Sequence, residues 1–200
     1  MRILSLFLIA FSLFSCTRPE PEIYRTEVHV KPLTLDEKFE QTYHLIDMKK
    51  IGQKVNRGFK RRPLDEIEHL IAVSKRYKVS PVTAMALLYQ ESDGTRIARS
   101  PVGALGLMQI MPKDHYSGPA ADLIQYPKLN ISLGIKYLKV CIRTTGNDWQ
   151  AVQAYNTGHG AWLKGIRSKL HAKRVFRIRK AIQEEVERIY ARKYQETLVI

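Results

Sequence analysis

Cysteine is almost missing from this 200-residue chain: Cys16 and Cys141 are the only two. A framework of several disulfides is thereby excluded, and so is a zinc site built on paired cysteines. The six histidines are scattered and none falls in a His-Glu-x-x-His pattern, so the sequence predicts no metal site and no bound cofactor. No glycine-rich loop that would cradle a phosphate occurs. Alternating apolar and polar runs are lacking too, apart from a weak hint at 23–30, and there is no repeat or low-complexity tract. Negative charge is scarce. Only 19 Asp and Glu stand against 33 Lys and Arg, and 149–183 carries eight basic residues with no acid at all. A net charge of +14 points to an anionic partner: nucleic acid, an acidic membrane face or an acidic polymer.

A hydrophobic share of 44% supports a real core in one compact domain with appendages. After Met1-Arg2, residues 3–14 are apolar except for Ser5 and Ser12. That run is too short to span a bilayer comfortably and fits the apolar part of an export signal. Leu13-Phe14-Ser15-Cys16 resembles a bacterial lipobox, whose cysteine is acylated and becomes the mature N-terminus; ordinary signal cleavage is the alternative. Thr17 after the cysteine matches the outer-membrane sorting pattern. With Cys16 acylated, Cys141 has no partner and reads as a small buried hydrophobe. Pro19, Pro21 and Pro32 among alternating charges make 16–33 an extended tether.

Beyond the tether the periodicity is helical. Thr34-Leu35-Asp36-Glu37 reads as a capping box, with Leu35, Phe39, Tyr43 and Ile46 at helical spacing and a break marked by Gly52 and Gly58. Further helices are expected at 63–77 and 82–92, the second opened by Ser80-Pro81 and stopped by Asp93-Gly94. A short helix at 104–111, one at 130–143 capped by Asn130, one at 148–156 and a last one at 172–194 follow. The fold class is all-α.

Three short stretches carry the chemistry. The first is Gln90-Glu91-Ser92, at the end of an apolar helix containing Ala84, Met85, Leu87 and Leu88. A carboxyl at the edge of an apolar wall is poorly solvated and retains a proton more readily, and the negative end of the helix acts the same way. Glu91 is thus a candidate general acid, whereas an isolated helix-end Glu is ordinarily just a solvated surface group. The second stretch is Gly103-Ala104-Leu105-Gly106-Leu107-Met108-Gln109-Ile110-Met111-Pro112, whose glycines permit close backbone approach and whose Gln109 both donates and accepts. The third is Ala154-Tyr155-Asn156-Thr157-Gly158. Each alone is a packed or capped helix end; the order of the three is what is specific.

These stretches, with Ser100 and Asn130-Ile131-Ser132-Leu133-Gly134-Ile135-Lys136-Tyr137-Leu138, resemble the SLT-type lytic transglycosylases, a lysozyme-like family related to the goose-type lysozymes. The resemblance covers about 63–195. The chain is thus expected to divide into 1–15 as signal peptide, 16–33 as tether, 34–62 as an N-terminal helical extension and 63–200 as an SLT-like catalytic domain. The resemblance implies cleavage of the β-1,4 bond between N-acetylmuramic acid and N-acetylglucosamine in peptidoglycan, with Glu91 as acid and then base and a 1,6-anhydro product. The substrate's own C6 hydroxyl then serves as nucleophile, so the second carboxyl of ordinary glycosidases is not required. By the same resemblance Ser92 and Ser100 shape the loop at Glu91, the Met108 backbone and Gln109 contact sugar, and Tyr155 and Asn156 hold the acid or an acetamido group. The family's late tyrosine, in a Glu-Thr-x-x-Tyr pattern, has its nearest counterpart at Tyr190 in Val186-Glu187-Arg188-Ile189-Tyr190, with Tyr194 as alternative; the Glu-Thr pair is missing.

The expected protein is therefore an envelope enzyme on the periplasmic side, anchored to the outer membrane through Cys16 and acting on glycan strands. Hydrolysis by water, as in a goose-type muramidase, and an inactive wall-binding protein are the alternatives. A DNA-binding helix-turn-helix at 70–88 is disfavoured, because its reading helix at 82–90 has no Arg or Lys for bases or phosphates.

Overall fold

The computed structural model describes residues 32–60 and 64–197, with side chains to 193. The expected signal peptide, Cys16, the tether up to residue 31 and the strand hint at 23–30 lie outside the described residues.

Nine α-helices make up the described part: α1 Leu35–Thr42, α2 Met48–Val55, α3 Ile67–Tyr77, α4 Pro81–Ser92, α5 Asp122–Gln125, α6 Pro127–Thr145, α7 Asp148–Thr157, α8 His159–Leu163 and α9 Lys169–Thr197. A 3-10 turn, Tyr43–Leu45, links α1 and α2. Among the described residues the only β-type pairing is two isolated bridges, Arg99 with Leu105 and Leu105 with Ile110. No helix among them is long and apolar enough to cross a membrane.

The helix starts follow local chemistry. Thr34 caps α1 in a reciprocal pair with Glu37. Asp47 accepts from Lys49 and Lys50 N–H at the start of α2. Ser80 caps α4 with Pro81 in the first turn, and Asn147 accepts from Gln150 N–H at α7. The ends are equally local: Asn56, Lys78 and Asp93 are left-handed residues closing α2, α3 and α4. Several expected bounds shift. Gly52 lies inside α2 rather than at a break; glycine is needed there for close packing, since a side chain would strike the Arg57 carbonyl and Phe59 N. The helix expected from 63 begins at Ile67, and α9 begins three residues earlier than expected, at Lys169.

At the centre lies α4, buried continuously from Pro81 to Tyr89. A helix that is apolar all round needs neighbours on every side. It packs against α9, α3 and α1, with Met85, Leu87 and Leu88 fully hidden. Burying each such side chain stabilises by about 2 kcal/mol, so α4 is fixed along its length and its last turn is fixed with it. The stretch 34–62 joins the same core: α1 and α2 pack on α9, and Phe39, Ile46, Met48 and Ile51 are buried. On the other side, α6 packs against α3 and α7, and α7 against α9. Cys141 of α6 is buried, and burial pushes its thiol up to about 11, as suits an inert packing residue.

Candidate active site

Glu91 is the penultimate residue of α4, and its side chain is 12% exposed. It lines a cleft of about 330 Å³ together with Ser100, Gln109, Asp114, His115, Tyr137, Tyr155 and Asn156. Three separate parts of the chain thus meet: the end of α4, the loop between α4 and α5, and α7 with its following turn. Among the described residues, no Lys or Arg lines this cleft.

The loop wall is not the short helix expected at 104–111. Gly103, Gly106 and Gln109 all have positive φ, of 94°, 75° and 48°, and such residues cannot continue a right-handed helix. The chain instead folds back on itself: Leu105 N–H donates to Ile110 O at 3.0 Å, and Ile110 N–H donates to Leu105 O at 2.9 Å. Asn130 fastens this loop. Its amide donates to Leu105 O at 2.8 Å and Leu123 O at 3.0 Å, while its oxygen accepts from Met108 N–H at 2.7 Å. Asn130 is therefore no helix cap; it is a fully buried residue inside α6, which begins at Pro127. Gly106 is required beneath it, since a Cβ there would stand 2.5 Å from Leu123 O. Gly134 does the same for Met108, whose Cβ would lie 2.5 Å from an added methyl.

Tyr155 closes the floor. It is 8% exposed and its hydroxyl donates to Met108 O at 2.7 Å. Burial, then the nearby Glu91 charge, raises Tyr155 well above the usual phenol range, so it stays a neutral donor. Its ring lies 5.0 Å from that of Tyr137, which in turn lies 3.9 Å from the His115 imidazole. Burial pushes Tyr137 up to about 12 and lowers His115. The cleft is thus floored by an uncharged aromatic row with polar edges, a surface suited to ring-shaped, hydroxyl-rich ligands.

The remaining expected residues divide. Ser100 lines the cleft and its oxygen accepts from Ala104 N–H at 2.9 Å, holding the turn. Gln109 lines it, with its amide donating to Gly106 O at 2.9 Å. Exposed Asn156 accepts from the Ser168 hydroxyl at 2.6 Å. Met108 is different: its side chain is fully buried, its N–H is taken by Asn130 and its carbonyl already accepts from Tyr155. It is a buried clamp of the wall. Ser92 is buried and donates back to Leu88 O at 3.2 Å, so it steadies the last turn of α4 without reaching the cleft. Tyr190 is not brought to the site. Lys38 of α1 lies 5.2 Å above its ring, and it sits 19 residues along α9 from His171, about 28 Å at 1.5 Å per residue.

The group that does meet the acid is His171. Its Nε2 lies 3.2 Å from Glu91 Oε1, with side-chain exposures of 10% and 12%. Neither atom has a well-aligned hydrogen-bond partner. Nothing in the sequence marks His171, because its partner is 80 positions away and no local spacing links them. Asp114 and His115, which also line the cleft, lie just past Pro112 and carry no local sequence signal of their own. Asp93 turns elsewhere: its Oδ1 meets Arg57 Nη2 at 2.6 Å and Nε at 2.7 Å. A larger cleft of about 490 Å³ beside Asp93 and Arg96 contains neither Glu91 nor the aromatic row, so size does not pick out the chemical site.

Comparison with known proteins identifies the family and several relatives. Residues 68–175 match the family described as "Transglycosylase SLT domain". The soluble lytic murein transglycosylase of Salmonella typhimurium is 37% identical over 109 residues, covering 47% of this chain and 17% of that protein. Its Escherichia coli K12 namesake is 38% identical over 104 residues, covering 44% and 16%. The matched stretch is thus about a sixth of the length of these relatives. Among solved structures, an inactive mutant of lytic transglycosylase Slt from Pseudomonas aeruginosa shares 29% identity at a TM-score of 0.46, over 66% of this chain and 25% of the other. The 70 kDa soluble lytic transglycosylase of Escherichia coli shares 23% at 0.49, over 79% and 29%.

Proposed function

This chain belongs to the transglycosylase SLT domain family, and from that premise we propose that it is a peptidoglycan lytic transglycosylase of lysozyme-like architecture. Glu91 gives its proton to the oxygen bridging N-acetylmuramic acid and N-acetylglucosamine, and the C1–O bond breaks. The resulting carboxylate takes the proton of the muramic C6 hydroxyl as that oxygen bonds to C1. The product is a 1,6-anhydro ring; no water is consumed, and Glu91 ends in its starting state. One observation carries the reading: Glu91 is a nearly enclosed carboxyl in a cleft with no cation among its lining residues, facing Tyr155 and Gln109. An acid held near Arg or Lys would remain ionised and could not donate. Tyr155 fixes the Met108 carbonyl, Ser100 and Gln109 hold the loop, and Asn156 supplies an exposed amide at the rim.

Export and a lipid anchor on Cys16 belong to the same reading, supported by the apolar run at 3–14 and the lipobox-like Leu13-Phe14-Ser15-Cys16. These would place the domain at the periplasmic side of the outer membrane, beside its glycan substrate.

A hydrolytic alternative has one specific support: Asp114 is a second carboxyl on the lining of the same cleft, and a paired carboxylate can activate water. Mass spectrometry of digested peptidoglycan decides. The proposal expects 1,6-anhydro ends, also from Asp114→Asn. Reducing ends, lost in Asp114→Asn, would establish hydrolysis instead.

A further inference from the structure

We propose that His171 is the positioning residue of Glu91: its imidazole donates the Nε2 proton to Oε1, so that the exchangeable proton of the acid resides on Oε2. This deepens the transglycosylase reading and rests on it for its kinetic part.

The geometry supplies the argument. Nε2 and Oε1 are 3.2 Å apart in a nearly closed setting, and both otherwise lack a well-aligned partner. Leaving two buried polar atoms unpaired costs about 1–3 kcal/mol each, so the two are mutually satisfying once they align; such contacts are commonly oblique before substrate binds. His171 stands in the first turn of α9, and α9 packs on α4. The ring is therefore carried by one rigid element and the acid by another, which fixes their separation. A single N–H directed at Oε1 breaks the equivalence of the two carboxyl oxygens.

The charge logic follows from the surroundings. Facing the pair are Glu91 itself from α4 and Tyr155 from α7, a neutral donor engaged with Met108. On α9 itself Arg174 is three residues on, the spacing of neighbours on one helix face, and it lines a neighbouring groove with Arg57 and Gln90. Arg57, from the link after α2, is paired with Asp93. The imidazole is thus the side chain in direct contact with the acid, and its single N–H is what distinguishes the two carboxyl oxygens.

Three measurements test this. His171→Ala should lower kcat by about 30-fold, a loss of one aligned hydrogen bond to a charged group, with KM within about 2-fold. His171→Gln places an amide N–H near the same point and should recover kcat to within about 3-fold of the parent. Independently of turnover, proton–nitrogen NMR of the histidines should show His171 carrying its proton on Nε2, with that resonance displaced in Glu91→Gln. Undiminished kcat in His171→Ala, no recovery in His171→Gln, or an Nε2 of His171 that carries no proton would each overturn the proposal. Should His171→Ala fail to fold, the Gln variant and NMR still decide. If the parent protein makes no anhydro product, the transglycosylase reading fails while the NMR result alone settles the pairing.

Discussion

Gln90 and Glu91 are neighbours on the last turn of α4, yet they line two grooves of opposite character. The groove at Gln90, about 360 Å³, is also lined by Arg57, Arg174 and Arg177 and has no acid. The cleft at Glu91 has two acids, an aromatic row and no Arg or Lys. One residue of helix rotation, about 100°, separates the two. The chain carries 33 basic residues, so keeping them off one cleft is a placement problem, and the fold solves it by direction. Apart from half-buried Arg179, which stacks on Phe176, the basic residues of α9 are exposed, Arg174 and Arg177 line the Gln90 groove, and Arg57 is held by Asp93. The lesson is that strong positive charge, which favours encounter with an anionic wall, coexists with an acid site only because the two are turned apart.

The sharpest way to break this contrast is to release the wall of the uncharged cleft. Asn130→Ala leaves Met108 N–H and the Leu123 carbonyl without their Asn130 partner, while Leu105 O keeps the Ile110 N–H. At about 1–3 kcal/mol for each buried group left unsatisfied, moderated by relaxation, a loss near 4 kcal/mol is expected, read as a lower urea midpoint. A smaller effect is expected from Tyr155→Phe, which removes one donor from Met108 O. The stability loss should be about 1–2 kcal/mol, with turnover falling because the loop at Gln109 is no longer tied to α7. The smallest change should come from Asp93→Asn. The Arg57–Asp93 pair is 29% and 43% exposed, so stability should move by less than about 1 kcal/mol in thermal melts. Turnover should stay within about 3-fold. A large kinetic loss there would mean that Asp93 shares in the chemistry and that the two grooves are not independent.

Much of this contrast is legible in the sequence, and the reasons for the rest are physical. Ser80-Pro81 and the apolar run behind it fix where α4 begins and that it is buried, because capping and burial are local properties. The ordered stretches around Glu91, Gln109 and Tyr155 identify the partners of the cleft before any coordinate does. The wall at 104–111 reads as helix because its apolar spacing suits one; the left-handed backbone at Gln109 leaves no mark in composition. Asn130 reads as a cap, since a buried asparagine inside a helix is explained only by partners 7 to 25 residues away. His171 is invisible for the same reason, and the tyrosine sought at Tyr190 lies far along α9 because only the fold, not the spacing, places a residue over the end of α4.

The central claim is that one enclosed carboxyl does the acid work of the cleft. It is tested most directly by Glu91→Gln, which keeps shape and removes the proton. With the thermal melt unchanged, release of anhydro-muropeptides should fall by about 10³-fold, within the range for loss of a general acid–base group. A variant that folds normally and retains more than a few per cent of parental turnover would contradict the account.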